Sequence, residues 1–319
     1  MRASHLKRID LVFRAHTFSR MQSAREQQWI RKTRFAGSWY EAHPLVLEKQ
    51  LDDFVQKATA SGVNPSNDPF SVTAIVAPHA GYAYSGEVAA CAYQAARHEK
   101  VKRVILLGPS HYVSFRGIGL SMKEGFDTPF GMIPLDQATI AFLSGHHLFG
   151  EQEEAHRLEH SLEMQLPFIK FFFGEALLLP LLVGHLKNEA EIKEVASVLN
   201  SLLQQGDLIV VSSDFTHYGP RFHYTPFSDD VQRRIKQLDR NAYHFLEQLD
   251  LSGFLHLREE CQITICGFYP LAVLIAMLPP KTTASLLAHA TSQEVTLADP
   301  QHSVSYLAIA FSNKQMGSG

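Results

Sequence analysis

The sequence predicts a single α/β domain in which helices flank a central, mostly parallel β-sheet. Three apolar runs, residues 74–77, 104–107 and 208–211, resemble buried strands, and each ends at a turn that carries polar residues. Short apolar runs bounded by turn signals are typical of strands covered on both faces. Helical patterns alternate with these runs, which favours parallel strands joined by crossover helices.

The remaining elements have local signals of their own. The segment 44–62 begins with Pro44, has apolar residues at helical spacing and ends at Gly62, as amphipathic surface helices do. Further helical segments are predicted at 87–99, at 156–173 with a kink or restart at Pro167, and at 191–206. Further strands are predicted at 176–185, where Pro180 interrupts the run, at 284–291 and at 303–311.

The composition is that of a folded globular protein, with 45% hydrophobic and 19% charged residues in 319. The formal net charge of -3 offers no strongly basic surface, so no nucleic-acid partner is expected. No stretch reaches the ~18 uninterrupted apolar residues of a membrane span, so no membrane partner is expected. Three cysteines form no even framework, which indicates a reducing compartment and a cytoplasmic protein.

The two ends of the chain differ from the domain at 33–312. Lysines and arginines far outnumber Asp10 and Glu26 near the N-terminus, and we predict a basic, disordered extension over residues 1–32. The basic bias also fits a transit peptide, and Met21 offers an alternative start that would make the preceding residues an upstream extension. Residues 313–319 are predicted to be a flexible tail.

Histidines follow two of the predicted strands. His79 and His111 each come just after an apolar run, with a proline immediately before or close by. In open α/β sheets, ligands bind in the crevice outside the carboxyl ends of the strands, and histidine is the commonest metal ligand and proton shuttle. The alternative is a histidine that caps its loop through hydrogen bonds. The third strand end carries Asp214 and His217, so the pattern indicates either a metal site or an acid-base cluster.

Three other features have both a functional and a structural interpretation. Asp214 either orients the His217 imidazole or caps a following helix. His160 and Glu163 share one helix face at a spacing that suits ligands, although a solvated face explains them equally well. Cys266 follows a short apolar run and precedes a glycine, yet a buried cysteine is most often inert packing.

Six sequence blocks occur together in a fixed order. They are FAGSWY (35–40), APHAGYAYSG (77–86), LGPSHYV (107–113), EHSLEMQLPF (159–168), VVSSDFTHYG (210–219) and TICGFYP (264–270). Through these blocks the chain resembles the Memo family, also described in prokaryotes as AmmeMemoRadiSam system protein B, over residues 33–312. That family is similar to the catalytic subunit of class III extradiol ring-cleaving dioxygenases, which implies a single α/β domain of that type.

The resemblance implies a metal held by two histidines and a cysteine, which correspond here to His79, His111 and Cys266. It also implies that His217 is an acid-base residue, with Asp214 as its neighbour. Ring-cleaving dioxygenases bind ferrous iron through two histidines and a carboxylate, whereas this chain offers a softer thiolate. The implied cofactor is therefore one transition-metal ion, iron or copper, with zinc also open.

Three functions follow from the resemblance. The first is a metal-dependent, dioxygenase-like oxidoreductase acting on a small-molecule or peptide substrate. Four residues in or beside the six blocks are the expected substrate contacts: Trp39, Tyr82, His160 and Glu163. The second is a non-catalytic adaptor that binds phosphopeptides in the same crevice. The third is a component that acts with a radical-SAM protein and a further system partner.

Overall fold

The computed structural model describes residues 29–65, 72–98, 100–296, 299 and 301–313. Most of the predicted N-terminal extension, residues 1–28, and the tail beyond Asn313 lie outside the described residues. The folded part begins before the predicted boundary at residue 33, because Ile30–Arg31 already form a strand. Among the described residues, no helix combines the length and apolar character that crossing a bilayer requires.

The strands are numbered in chain order. They are β1 (Ile30–Arg31), β2 (Val72–Ala77), β3 (Arg103–Pro109), β4 (Ile118–Leu120), β5 (Gly125–Phe126), β6 (Ile133–Pro134), β7 (Phe149–Glu151), β8 (Leu177–Val183), β9 (Asp207–Ser212), β10 (His217–Tyr218), β11 (Thr282–Thr291) and β12 (Ser303–Asn313).

The α-helices are numbered in the same way. They are α1 (Pro44–Ala60), α2 (Tyr82–Ala95), α3 (Gln137–Leu143), α4 (Glu153–Leu158), α5 (Leu166–Phe173), α6 (Glu189–Asn200), α7 (Val231–Gln248), α8 (Leu251–Cys261), α9 (Phe268–Met277) and α10 (Ser292–Thr296). Short 3₁₀ helices at Glu163–Gln165 and Pro220–Phe222 complete the described structure.

A nine-stranded sheet forms the centre of the domain. Its main path runs β10, β12, β2, β9, β3, β8, β4, β7, and β11 pairs with β12. The inner strands β2, β9, β3 and β8 are parallel, as predicted. Both flanks add antiparallel pairs, so the whole sheet is mixed rather than mostly parallel. The predicted single α/β domain with a helix-flanked sheet is confirmed.

Three predicted elements have different limits in the structure. Helix α2 begins at Tyr82, five residues before the predicted start, so the glycine-rich turn after His79 is very short. The helical segment predicted over 156–173 is two helices: α4 ends at Leu158, and α5 begins at Leu166, so the restart predicted at Pro167 is confirmed. Strand β8 continues through Pro180, which lies opposite Leu106 in the centre of the sheet.

The carboxyl ends of the parallel strands meet at one edge of the sheet. Ala77, the last residue of β2, pairs with Ser212, the last residue of β9, and β3 ends beside them at Pro109. These strands are almost fully buried, as their branched apolar sequences predict. The loops that leave them therefore start from a rigid platform.

A buried carboxylate fastens the N-terminal segment to this platform. Glu163 is fully buried and forms an ion pair of 2.8 Å with Arg31. Its other oxygen accepts the backbone N–H groups of Arg34 and Phe35, both at 2.7 Å, and the hydroxyl of Tyr40 at 3.0 Å. A buried charge is tolerated only when it is paired and hydrogen-bonded, and Glu163 satisfies both conditions.

We expect Glu163→Gln to lower the free energy of unfolding by about 3–5 kcal/mol, because it leaves the Arg31 guanidinium buried without a counter-charge. Urea unfolding monitored by circular dichroism measures this loss. The matched control is Glu154→Gln, which removes an exposed, solvent-screened pair with Arg157 and should leave the free energy of unfolding nearly unchanged. Equal losses in the two variants would contradict the structural role assigned to Glu163.

His156 lies beneath the same segment, and burial lowers its pKa to about 4. Its Nε2–H donates to the Gly119 carbonyl at 3.0 Å. In the unfolded chain this histidine has an ordinary pKa near 6.5. Between pH 6.5 and pH 4 the unfolded chain therefore binds a proton that the folded chain does not bind. The contribution of neutral His156 to the free energy of unfolding is therefore fully present above about pH 6.5 and is lost as the pH drops toward 4.

Between pH 7 and pH 4.5, we expect His156 alone to remove roughly 2–3 kcal/mol from the free energy of unfolding. Other buried histidines titrate in the same window, so the wild type must be compared with His156→Gln, whose amide can still donate to Gly119. The variant should lose less stability over this range in urea titrations. An identical pH dependence in the two proteins would refute the assignment.

Candidate metal centre and crevice

The site lies at the carboxyl edge of the parallel strands. His79 follows β2, His111 follows β3, and His217 follows β9 after a short loop. Cys266 does not follow a strand, as its local pattern suggested, but lies in the irregular segment before α9. Its backbone N–H donates to the carbonyl of Asp214 at 3.2 Å, which attaches this segment to the end of β9.

Gly267 allows this attachment. A Cβ atom at position 267 would lie 2.5 Å from the side chain of Ser213, so only glycine permits the close approach. The Gly267 N–H donates to Ser213 Oγ at 3.0 Å. Cys266 is thereby held against the strand end from which His217 also departs.

The three predicted metal ligands come together in the structure. His79, His111 and Cys266 each offer one ligand atom, and these atoms all lie within 4.8 Å of one another. The His79 and His111 rings are 5.2 Å apart between centroids and nearly perpendicular. His79 is buried, with 1% exposure, whereas His111 and Cys266 face the crevice.

The hydrogen bonds around His79 determine which ring nitrogen is protonated. Ser212 Oγ donates its single hydrogen to the Ser161 carbonyl at 2.6 Å and accepts an N–H of Gln165 at 2.9 Å. The hydroxyl can therefore only accept from His79 Nδ1, 3.0 Å away. Nδ1 carries the proton, and Nε2 presents a lone pair.

Whether a metal ion fits this site depends on that lone pair. His79 Nε2 is buried and has no hydrogen-bond partner among the described residues. Burial and the neighbouring histidines keep the pKa of His79 well below its ordinary value, so the imidazole stays neutral. A buried, neutral, unpartnered nitrogen close to a second imidazole and a thiol is the donor set that a transition metal uses.

Glu159 fixes His111 in the same tautomer. One carboxylate oxygen accepts His111 Nδ1–H at 2.8 Å, and the other accepts the His111 backbone N–H at 2.6 Å. Burial alone would raise the pKa of Glu159, but the hydrogen bonds that it accepts from His111 bring it down to about 2. An ionised carboxylate can only accept, so His111 Nδ1 carries a proton, and in the neutral ring the lone pair is on Nε2.

His217 is held by backbone carbonyls. Its Nδ1 contacts the carbonyl oxygens of Phe215 at 2.9 Å and Thr264 at 3.1 Å, so Nδ1 carries the proton. Its Nε2 lies 3.5 Å from Cys266 Sγ. Burial lowers the pKa of His217 and raises the pKa of the Cys266 thiol well above its ordinary value. The metal-free pair is therefore a neutral imidazole beside a protonated thiol.

Asp214 has neither of the two roles considered from the sequence. It does not contact the His217 ring and does not cap a helix; its Oδ1 accepts the backbone N–H of His79 at 2.8 Å. Burial raises the pKa of Asp214 to about 7. A short loop after β9 turns Asp214 toward β2 rather than toward His217. Its carboxyl group therefore positions the His79 backbone.

An open crevice of about 700 Å³ contains the three candidate ligands. Trp39 and His160 form part of its wall, with ring centroids 4.8 Å apart, and His160 stacks on His111 at 4.4 Å. Burial lowers the pKa of His160 to about 4, so this ring is neutral as well. The crevice continues past His217 to Arg221 and Phe222.

Two expected substrate contacts lie elsewhere. The side chain of Tyr82 is buried, and its hydroxyl donates to the Met164 carbonyl at 2.8 Å. Glu163 is occupied by Arg31 and the segment that follows it, so neither side chain lines the crevice. Glu163 had a ligand-like spacing from His160, and Tyr82 lay in one of the six blocks, but long-range partners direct both side chains into the core. Trp39 and His160 do line the crevice.

Several residues of the site were missed in the sequence. Ser212, Gln165 and Glu159 set the ring tautomers, and Arg221 lies at the far end of the crevice. Glu159 lies within the EHSLEMQLPF block, but the sequence does not reveal that its side chain is buried. Ser212 and Arg221 have no spacing signal that separates them from ordinary turn residues.

A surface group also has metal-ligand composition. His146, His147 and Glu194 lie together, with each imidazole Nε2 about 3.4–3.5 Å from the same carboxylate oxygen. His146 Nδ1, however, accepts the Leu148 N–H at 3.3 Å, so its proton is on Nε2. That ring offers the surface group no lone pair, in contrast to His79 and His111.

Comparison with known proteins shows extended similarity. A family model described as Memo-like protein matches residues 31–310. The chain is 35% identical over 254 residues to Protein MEMO1 of Xenopus laevis, covering 77% of this chain and 83% of that protein. It is 34% identical to Protein MEMO1 of Homo sapiens over the same shares of both chains. The solved structure of an uncharacterized Escherichia coli K12 protein has a TM-score of 0.45 at 14% identity, covering 66% of this chain and 86% of that one.

The sequence match includes every strand of the parallel core and the residues that form the crevice, from Ser38 to Tyr306. Its extent, together with the identity to the vertebrate proteins, goes well beyond a shared motif. The chain belongs to the Memo family.

Proposed function

We propose that this protein binds one transition-metal ion through His79 Nε2, His111 Nε2 and Cys266 Sγ and acts as a metal-dependent oxidoreductase. The observation that carries the proposal is the buried Nε2 of His79, which has a lone pair and no partner among the described residues. Leaving a buried polar atom unpaired costs about 1–3 kcal/mol, and a bound cation would remove that cost.

The donor set favours iron or copper. Two imidazoles and a thiolate are softer than the two imidazoles and carboxylate of ferrous dioxygenases, which moves the preference toward copper, and zinc fits the same set. Bound there, a redox-active ion would pass electrons from an organic substrate to dioxygen, which is the oxidant. A structural role is less consistent with the site, because the ligands open onto a large crevice.

The chain supplies its own route for the thiol proton. Cys266 must lose a proton to act as a ligand, and His217 Nε2 is a neutral acceptor 3.5 Å from its sulfur. His217 Nδ1–H stays bound to two carbonyls, so the ring can take this proton without turning. The same nitrogen can then return a proton to a substrate in the crevice.

The wall of the crevice suits an aromatic or peptide substrate. Trp39 and Tyr84 present partly exposed rings, and His160 lies between Trp39 and the candidate ligand His111. Stacking on these rings would orient a planar group beside the candidate metal ligands. Glu159 and Ser212 keep the ligand rings in place, which limits reorganisation when a substrate enters.

A second candidate function is peptide binding without catalysis. The crevice of about 700 Å³ extends well beyond the candidate ligands, and that extension would suit a peptide side chain and its flanking residues. Oxygen consumption by the metal-loaded protein separates the two functions, because an adaptor binds its peptide without consuming oxygen.

The ligand role of Cys266 can be tested by anaerobic purification and elemental analysis after incubation with ferrous, cuprous or zinc ions. We expect about one ion per wild-type chain and a strong loss in Cys266→Ala. Cys266→Asp should retain metal with a shifted preference toward ferrous iron, because a carboxylate is a harder ligand. Cys261→Ala is the matched control, since Cys261 lies outside the crevice.

His217→Ala should keep most of the metal, since this histidine is assigned to proton transfer and not to ligation. Undiminished metal in Cys266→Ala would return Cys266 to a packing role and overturn the proposed ligand set. Loss of metal in His217→Ala would place that residue among the ligands.

Ser212→Ala tests the tautomer argument. The variant removes the acceptor for His79 Nδ1–H, so the proton is free to occupy Nε2 and compete with the metal. We expect the metal dissociation constant to rise about 10–100-fold, as when other partners of metal-binding histidines are removed. Competition with a chromophoric chelator measures this constant, and an unchanged value would contradict the role given to Ser212.

A further inference from the structure

Strand β1 is an edge strand of the small sheet formed by β1, β5 and β6, and one of its sides has no partner among the described residues. Trp29 and Arg31 turn their carbonyl oxygens toward the β5 segment and accept backbone N–H groups there, both at 2.8 Å. Backbone groups of successive residues point to opposite sides of a strand. Ile30 and Lys32 therefore each direct an N–H and a C=O away from β5, and no described residue bonds to these groups.

The open side of β1 faces a groove of about 390 Å³, which we call the β1 groove. Residues 30–34 all line it, together with Lys123 and part of α4. None of its lining residues lines the crevice at the carboxyl ends of the parallel strands. The β1 groove is therefore a separate surface of the protein.

Positive charge predominates in the β1 groove. Besides the buried Arg31, four lysines and arginines line it against two carboxylates. Both carboxylates are already engaged: Glu154 accepts from Arg157 Nε at 2.8 Å, and Glu153 accepts the Ser121 hydroxyl at 3.0 Å. A surplus of positive charge therefore remains for a bound group.

Arg34 is the cation best placed to meet such a group. Its side chain is exposed, lies over the Phe35 ring at 6.0 Å from the centroid, and forms no ion pair among the described residues. Its backbone N–H donates to the buried Glu163 at 2.7 Å. The guanidinium is therefore presented from a fixed segment of backbone beside the open strand edge.

We propose that the β1 groove docks an extended acidic peptide segment of a partner protein, which adds a strand to β1. Peptides that add to a sheet edge gain affinity from main-chain hydrogen bonds, and their side chains give specificity. Here Ile30 and Lys32 supply the main-chain groups, and the basic side chains select carboxylates. The proposal depends on neither the crevice nor a metal.

The charges and the backbone favour this occupant over two others. Residues 1–28 carry six lysines and arginines against Asp10 and Glu26, so the segment that precedes β1 lacks the complementary charge. A nucleic acid would meet the positive charge, but its phosphodiester backbone has no N–H groups for the carbonyls of Ile30 and Lys32. An acidic peptide satisfies both requirements.

Isothermal titration of the full chain with three peptides tests the proposal. The probes are acetyl-Glu-Val-Glu-Val-Glu-amide, its analogue with Gln in place of each Glu, and the acidic peptide N-methylated at all five residues. The wild type should bind the acidic peptide about tenfold more tightly than the Gln analogue, as expected for two exposed charge pairs, and less selectively at high salt. N-methylation should weaken binding at least tenfold, because it removes the main-chain donors.

Arg34→Gln should reduce the preference for the acidic peptide about three- to fivefold, and Arg34→Lys should keep part of it. Arg97→Gln is the matched control: Arg97 also lies over an aromatic ring, Phe172, without an ion pair among the described residues, and it is outside the β1 groove. It should bind all three peptides as the wild type does. Arg221→Gln, which changes a cation of the crevice, should also leave peptide binding unchanged.

Fluorescence locates the bound peptide. Trp39→Phe leaves Trp29 as the only tryptophan, and Trp29 directly precedes Ile30. Saturation with the acidic peptide should change the emission of Trp29 in this variant. Unchanged emission would place the peptide away from β1 and overturn the proposal.

Four results of the titrations would also overturn it. They are no binding of the acidic peptide, equal binding of the acidic and Gln peptides, full affinity of the N-methylated peptide, and a preference that Arg221→Gln removes but Arg34→Gln does not. Tighter binding of a ten-residue uridine oligonucleotide than of the acidic peptide would assign the groove to nucleic acid instead.

Discussion

The hydroxyl of Ser212 uses its full hydrogen-bonding capacity, and the arrangement of the crevice depends on it. It donates to the Ser161 carbonyl and accepts from Gln165 and from His79, so three segments of the chain meet at one oxygen atom. No capacity remains for a different arrangement. The fold therefore determines the tautomer of His79. The Glu159 carboxylate imposes the same tautomer on His111, and two backbone carbonyls impose it on His217.

Much of the fold was predictable because its signals are local. The apolar runs that became β2, β3 and β9 are short, branched and bounded by turns, and all three are parallel neighbours in the structure. The convergence of His79 and His111 also followed from a general rule, since the carboxyl ends of parallel strands share an edge. Cys266 could be included only through family resemblance, because no strand leads to it.

The rest of the site depends on contacts that sequence spacing does not encode. Glu163 has a helical spacing typical of a ligand, yet its carboxylate is taken by Arg31 and two backbone N–H groups far away in the chain. Asp214 is close to His217 in sequence but turns to the His79 backbone. In each case, a partner in a distant segment decides the direction of the side chain.

The position of β12 has a consequence for how the protein is made. This last strand lies between β2 and β11, and its Ser305 exchanges backbone hydrogen bonds with the loop that carries Phe215 and Thr216. Until the ribosome has released this segment, one edge of β2 has no partner and the loop before His217 lacks its support. The nascent chain can build helices and the inner strands earlier, but the crevice is completed only after β12 has been synthesised and has paired with β2. During synthesis the exposed edge of β2 is a site where chaperone protection against strand pairing between chains would matter most.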